Sequence, residues 1–267
     1  MILKILEELS KKRMKRAKEK LPLEELKSLI YCNGEKRRFH NRKDFAFEDA
    51  LKNKFSFICE VKKASPSKGV LAANFDYMKI AKEYEEAGAD AISVLTEPEY
   101  FKGSNFHLEE ISQLVNIPVL RKDFTVDEYQ IYEAKVLGAD AVLLICAILD
   151  TETLKRYIKI CDELGLSALV EVHTEEEIHS AISAGARVIG VNNRNLKTFE
   201  VDINRCIHLR KFVPANIVYV AESGIKTSED IARLKEFHVN AVLIGETLMR
   251  SSCKKEILTN LRGGSNA

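Results

Sequence analysis

The chain has 267 residues, 46% apolar and 30% charged, which allows a sizeable buried core and excludes a disordered polymer. That length suits one closed α/β barrel or two smaller domains. The longest apolar run, Ala141 to Leu149, is too short to span a bilayer, and no N-terminal secretion signal is evident, so a cytoplasmic protein with no membrane partner is expected.

Net charge is +1, but residues 1–43 carry 14 Lys and Arg against 6 Asp and Glu, a net of +8 that leaves −7 for the rest. A basic segment of this kind can dock nucleic acid. Here Ile2, Leu3, Ile5, Leu6 and Leu9, then Leu21, Leu23, Leu26 and Ile30, recur at helical spacing without interleaved aromatics. Residues 1–45 are therefore predicted as an amphipathic helical cap lying on the domain near the mouth of its site, its Lys and Arg face turned to solvent, with no nucleic-acid partner.

Residues 55–262 alternate short β-branched apolar runs with longer helical patterns, the mark of βαβ units on a parallel sheet. Eight strands are predicted: Phe55–Glu60, Ala91–Thr96, Pro118–Lys122, Ala141–Cys146, Ala168–Val172, Val188–Asn193, Ile217–Glu222 and Ala241–Gly245. Between them, Tyr77–Ala87, Asp127–Leu137 and Glu175–Ala184 have three- and four-residue apolar spacing. Gly88-Ala89-Asp90-Ala91-Ile92 recurs as Gly138-Ala139-Asp140-Ala141-Val142, and more loosely at Gly185 and His238, at intervals of 50, 47 and 53 residues. Each copy ends a helix in a left-handed cap and opens an even-numbered strand, so four βα pairs close a single (β/α)8 TIM barrel. An open doubly wound sheet would carry Gly-x-Gly-x-x-Gly after its first strand, and none is present. The tail 263–267 reads as disordered. Six scattered cysteines (Cys32, Cys59, Cys146, Cys161, Cys206, Cys253) form no CxxC pair and read as reduced, inert and metal-free.

In such a barrel the active site lies at the C-terminal strand ends, so ionisable residues should interrupt the apolar pattern there. Strand 1 ends Glu60-Val61-Lys62, where alternation points Glu60 and Lys62 into the mouth. Strand 3 ends Arg121-Lys122-Asp123-Phe124, strand 5 carries Glu171, strand 6 ends Asn192-Asn193-Arg194, and strand 7 ends Glu222-Ser223-Gly224. One such residue alone is ordinarily a strand-end ion pair. Five strand ends together point to a ligand, because buried ions need partners, and their proximity should split their pKa values. Ser223-Gly224-Ile225 and Gly245-Glu246-Thr247 follow strands 7 and 8, where backbone N–H groups commonly bind phosphate. A small phosphorylated substrate is expected, and enlarging Gly245 should hinder phosphate without touching acid or base.

The segment Phe57-Ile58-Cys59-Glu60-Val61-Lys62-Lys63-Ala64-Ser65-Pro66-Ser67-Lys68-Gly69 resembles the signature of indole-3-glycerol phosphate synthases. The same register continues through Tyr100–Ser104, Leu120–Phe124, Leu169–Val172, Ile189–Arg194, Val220–Ile225 and Leu243–Glu246, covering all eight strands and, with the basic N-terminal helix, nearly the whole chain. One departure is Asn195, where the family usually has Asp. The resemblance implies a reaction without metal or cofactor: ring closure, decarboxylation and dehydration of 1-(2-carboxyphenylamino)-1-deoxyribulose 5-phosphate in tryptophan biosynthesis. It implies Lys122 as general acid, with Lys62 holding anionic groups and sharing that role. Glu171 and Glu60 would handle protons in dehydration, and Asn192 and Ser223 would orient hydroxyls and side chains. Arg194 would clamp a carboxylate, Phe101 and Phe124 would wall the aromatic ring, Ser65 and Glu222 would contact substrate, and Gly224, Gly245 and Glu246 would bind phosphate. Association with other enzymes of the pathway stays open. So do two alternatives. One is another phosphate-binding barrel such as phosphoribosylanthranilate isomerase, which would want a cysteine base ending strand 1, whereas Cys59 should face away. The other is a non-catalytic barrel that binds through its basic segment.

Overall fold

The computed structural model describes residues 2–32, 35, 36, 39–72 and 74–263, with the backbone alone at 32, 35 and 36. The expected tail falls mainly on 264–267, and the Cys32 side chain falls at a similarly masked position; both lie outside the described residues.

Eight parallel strands close a barrel in sequence order: β1 (Ser56–Val61), β2 (Ala91–Leu95), β3 (Val119–Lys122), β4 (Ala141–Ile145), β5 (Ser167–Val172), β6 (Val188–Asn192), β7 (Val218–Glu222) and β8 (Ala241–Ile244). Period-2 alternation divides each strand between two cores. Inward, Ile58, Ala91, Leu120, Leu143, Leu169, Val220 and Leu243 form one cluster. Outward, Phe57, Cys59, Ile92, Val94, Val142 and Val170 join the larger cluster under the helices. Cys59 thus faces the helices and not the barrel mouth. The described cysteines Cys59, Cys146, Cys161, Cys206 and Cys253 are free thiols.

The N-terminal segment folds as α1 (Ile2–Lys20) and α2 (Leu23–Ile30), and then a two-residue antiparallel pair, Tyr31–Cys32 with Glu35–Lys36. Leu3, Leu6, Ser10 and Met14 are the buried face of α1, whereas Ile5, expected on that face, is exposed. The basic face is divided as well. Lys4, Lys11, Lys12, Lys15, Arg16 and Lys20 meet solvent, but Arg13 bonds Asp123 and Lys18 bonds Asp127 on the barrel. Solvent exposure of the whole cationic face is therefore corrected: two of its cations have carboxylate partners about a hundred residues away. After this segment, half-buried Arg42 donates to Asp140 and to three carbonyls, Ser112, Val115 and Gly138, fastening the connection to the barrel.

A short helix that the sequence pattern did not predict, α3 (Ala46–Lys52), plugs the N-terminal end of the barrel, with Phe47 and Leu51 fully buried in the inner cluster. The outer ring comprises α4 (Tyr77–Glu86), α5 (Asn105–Leu114), α6 (Tyr129–Val136), α7 (Thr151–Leu164), α8 (Glu175–Ser183), α9 (Asn204–Leu209), α10 (Ser228–Glu236), α11 (Glu246–Arg250) and α12 (Lys254–Leu261). The repeat acquires a physical reason here. Gly88, Gly138 and Gly185 take φ of 84°, 82° and 90°, a region that L side chains avoid, to end their helices. The acidic or amide residue two places on then accepts an N–H from the start of the strand before: Asp90 from Phe57, Asp140 from Val119, and Asn240 from Tyr219, each at 2.8 Å. Among the described residues no helix is long and apolar enough to cross a membrane.

Candidate active site

The alternation that fills the barrel also builds the site, because the next inward position beyond the core on five strands is polar. Glu60 follows Ile58, Lys122 follows Leu120, Glu171 follows Leu169, Asn192 follows Gly190, and Glu222 follows Val220. On β2 and β4 the same level is apolar, so Leu95, Leu143 and Ile145 supply a hydrocarbon wall. Above them opens a cavity of about 670 Å³, a size suited to a small ligand. It is lined by Glu60, Lys62, Lys122, Glu171, Asn192 and Ser223, by Ser65, Phe101, Phe124, Arg194 and Glu222, and by Gly224, Gly245 and Glu246. The structure thus brings every expected site residue to one cavity.

At its floor the Lys122 ammonium lies 3.0 Å from Glu171 Oε2 and 3.0 Å from Glu222 Oε2. Asn192 Nδ2 donates to Glu171 Oε1 at 3.4 Å, and Lys62 pairs with Glu60. A single ammonium carries one charge against two buried carboxylates. Burial raises the pKa of Glu171, but Lys122 and then His173 outweigh it and hold this carboxyl below its ordinary value. Burial dominates at Glu222; with the charge of Glu171 added, and only partly relieved by Lys122, its pKa rises to about 7. Lys122 itself is held above the usual lysine value, since Glu171, Glu222 and Glu60 together outweigh its burial. At rest the site therefore holds a protonated lysine beside one ionised carboxylate and one that titrates near neutrality.

Two glycines make this packing possible by close approach. A Cβ at Gly190 would collide with Glu222 Oε1, and one at Gly245 would collide with Glu60 Oε1 and lie 2.9 Å from Lys62 Nζ. This corrects the expectation that Gly245 serves phosphate alone: it also makes room for the Glu60–Lys62 pair.

At the rim, Ser223 takes a positive φ of 66° just before Gly224, and its carbonyl accepts from Asn193 Nδ2 at 3.1 Å. Such a conformation costs a side-chain-bearing residue about 1–3 kcal/mol and is held here by its surroundings. Thr247 Oγ1 donates to the Ile225 carbonyl at 2.8 Å, tying the loop after β7 to the one after β8. Glu246 stands among three cations, with Arg250 at 3.3 Å, Arg194 at 3.6 Å and Lys68 at 4.0 Å. Arg194 also donates to the Phe199 carbonyl, closing a loop whose turn Asn195 caps by accepting from Lys197 N and Thr198 N. An aspartate would accept the same two bonds, so the departure at Asn195 preserves the turn.

Opposite lies the aromatic wall, with Phe101 and Phe124 ring centroids 6.2 Å apart. Phe101 is presented by Glu97, fully buried, whose carboxylate accepts from the backbone N–H of Glu99, Tyr100 and Phe101. Phe124 is presented by α1: Ser10 Oγ donates to its carbonyl at 2.6 Å, and Arg13 grips Asp123 beside it at 2.7 and 3.3 Å. Leu3 and Leu6 complete that side of the cavity.

Sequence reasoning missed Lys68, Glu97, Asp123, His173 and Arg250. Lys68 sat inside the quoted motif and Arg250 one helical turn after Glu246, so both were accessible. The partners of Asp123 and Glu97 are set by tertiary contact and a loop, and left no periodic signal. Among the described residues, no group of three or more His, Cys, Asp or Glu is placed to hold a metal ion.

The family model for indole-3-glycerol phosphate synthase matches residues 3–261. A relative of that name from Ruminiclostridium cellulolyticum is 58% identical over 253 residues, covering 93% of this chain and 97% of its own. Another from Lachnoclostridium phytofermentans is 53% identical over 268 residues, covering 98% and 99%. Among solved structures, 3-hexulose-6-phosphate synthase from Salmonella typhimurium superposes with a TM-score of 0.65 at 14% identity, over 78% of this chain and 97% of that one, a likeness of fold alone. With agreement over nearly its whole length, the chain belongs to the indole-3-glycerol phosphate synthase family, decarboxylating lyases of tryptophan biosynthesis that act on a small phosphorylated substrate.

Proposed function

We propose that Lys122 is the general acid of this site, and that it drives ring closure of 1-(2-carboxyphenylamino)-1-deoxyribulose 5-phosphate by protonating the ribulose carbonyl. The observation that carries this is the ammonium fixed between Glu171 and Glu222 at the cavity floor. As the aromatic carbon bearing the carboxylate attacks the carbonyl carbon, the carbonyl π pair takes the Lys122 proton. Carbon dioxide then leaves, restoring the ring electrons. Loss of the new hydroxyl as water and of an adjacent C–H proton completes the indole. A preplaced cation stabilises the developing alkoxide, and the wall of Leu95, Leu143, Ile145, Phe101 and Phe124 keeps water from it.

The ionised Glu171 takes the C–H proton in dehydration and, assisted by Glu60, hands it to the departing hydroxyl, which leaves as water, so that Glu171 ends ionised. Lys62 holds anionic groups of the substrate and can share the acid role. Asn192 and Ser223 orient hydroxyls, while Ser65 and Glu222 contact the sugar. Arg194 clamps the anthranilate carboxylate. Backbone N–H groups at Gly224, Gly245 and Glu246 receive the phosphate, with Lys68 and Arg250 adding charge. Acid, base and anion sites are all supplied by side chains and backbone, so we assign no metal or cofactor a part. We assign residues 1–45 to a cap and 55–262 to the barrel of one domain, in a cytoplasmic enzyme without nucleic-acid or membrane partners. Cys59 on the outer face argues against the isomerase alternative, whose base would need the inner one.

Indole absorbance and fluorescence with that substrate test the reading. Lys122→Ala should lower kcat by about two to three orders of magnitude, roughly 3–4 kcal/mol, with substrate still bound. Activity within about tenfold of wild type would shift the acid role to Lys62.

A further inference from the structure

Charge balance sets a requirement that the floor residues alone do not meet. The substrate carboxylate leaves as neutral carbon dioxide and the hydroxyl leaves as water, so each turnover takes up one proton from solvent. Lys122, which spends it, is only 12% exposed, and Glu171 and Glu222 are 4% and 2% exposed.

A path outward begins at Glu171. Two residues further along the chain, at the end of β5, His173 places Nε2 3.5 Å from Glu171 Oε1. That nitrogen is buried and forms no hydrogen bond among the described residues. Its Nδ1 lies 3.4 Å from Oε2 of Glu177, in the first turn of α8, and Glu177 is 22% exposed. Glu177 has a structural task as well, since Oε2 accepts the His173 N–H at 2.6 Å beside the Thr174 cap. Capping accounts for the carboxylate of Glu177. It does not account for a half-buried imidazole with one nitrogen facing each of two carboxylates.

We propose that Glu177, His173 and Glu171 form a relay that returns a proton from solvent to Lys122 after each turnover. The proposal rests on the reading of Lys122 as the acid. In the acid step a Lys122 N–H bond breaks and an O–H bond forms on the substrate, leaving a neutral amine. The His173 imidazolium then gives its Nε2 proton to Glu171 Oε1, and the Glu171 carboxyl turns to pass it to Lys122 Nζ. Imidazole takes a replacement at Nδ1 from Glu177, which takes its own from water, so every group ends as it began. Glu171 on β5, Glu177 on α8 and Glu222 on β7 face this imidazole. Although burial opposes its charge, the bond to Glu177 and the three carboxylates hold its pKa above the ordinary histidine value.

A single turnover with enzyme in excess uses the proton already on Lys122, whereas steady turnover needs the relay. His173→Asn should therefore leave the single-turnover rate within about twofold of wild type and lower kcat by about tenfold or more, with KM falling in parallel so that kcat/KM is unchanged. Added imidazole should restore kcat. Glu177→Gln keeps an acceptor for the His173 N–H and should reproduce the effect, and it carries the test if His173→Asn does not fold. The double variant should be no slower than the slower single one. Loss of both rates together would make His173 a support for Glu171 and overturn the relay, as would an unchanged kcat. Lys122→Ala separates the two readings: retained single-turnover activity there removes the acid assignment, independently of the His173 result.

Discussion

Replacing Arg13 with methionine would remove the cation that neutralises Asp123 while keeping most of the side-chain stem packed. Asp123 is 1% exposed and Arg13 23%, and the two meet at 2.7 Å. Removing one partner of a buried pair costs about 3–5 kcal/mol. Here the stranded carboxylate would keep the Thr96 hydroxyl at 2.7 Å, the Phe124 N–H at 2.8 Å and Arg121 at 3.7 Å. With those partners remaining, the loss should fall to about 2–3 kcal/mol. Its pH dependence has a definite sign. Burial raises the Asp123 pKa, but Arg13 and Arg121 outweigh it and hold the carboxyl below the ordinary 3.8. This pair therefore stabilises the fold fully above that value and ceases to do so as pH falls through the lower, folded one. The gap between wild type and variant should be complete at neutral pH and should narrow only in acid, below about pH 4. The chain has no tryptophan, so urea unfolding is best followed by far-ultraviolet circular dichroism. KM should rise as well, because the released loop carries Phe124. A gap below about 0.5 kcal/mol, the size of an ordinary surface substitution, or one that persists unchanged into acid, would refute this account.

Gly245→Ala should lower kcat by about tenfold or more as well as raise KM, because the added methyl strikes Glu60 and Lys62; steady-state kinetics showing a KM effect alone would return Gly245 to phosphate approach only. The profile of kcat/KM against pH should bend near 7, where Glu222 titrates, and Glu222→Gln should abolish that bend. The raised pKa also means that folding is favoured by the protonated carboxyl, a contribution present at low pH and lost as pH rises from about 4.5 through about 7. Unfolding free energies measured across that window should decline less in Glu222→Gln than in wild type.

What the sequence made legible follows from periodicity. Strand positions came from β-branched runs, and Glu60, Lys122, Glu171, Asn192 and Glu222 stood out because each breaks an inward apolar register at a strand end. Splitting of the carboxylate pKa values was expected from proximity, but its direction was not. Burial dominates at Glu222, whereas at Glu171 it is outweighed by Lys122 and His173, a difference that only the packed site displays. The helix Ala46–Lys52 escaped notice because two buried apolar residues, Phe47 and Leu51, make too short a pattern, and no side-chain cap marks its start. In the repeat the glycines were readable as helix ends. Asp90, Asp140 and Asn240 were not readable as acceptors, since each pairs with a strand 21 to 33 residues earlier. Arg13 and Lys18 were assigned to solvent by helical periodicity, which cannot anticipate carboxylates 110 and 109 residues away.

On the proposed reading, the distribution of charge over the cavity would orient an asymmetric substrate. The floor holds Lys122 among Glu171, Glu222 and Glu60, a cation already compensated by carboxylates. Anionic groups gain nothing there, but a neutral carbonyl that becomes an alkoxide does, because its charge appears only as the reaction proceeds. At the rim the balance is reversed: Lys68, Arg194 and Arg250 share one carboxylate, Glu246, and Lys226 lines the same edge. A phosphate and a ring carboxylate are drawn to that excess and away from the floor. Anionic groups and the neutral carbonyl are thus sorted by field, and the aromatic ring is left to the apolar wall between them. Binding energy from the fixed anions can then be used to hold the carbonyl at the lysine without trapping the substrate in its ground state.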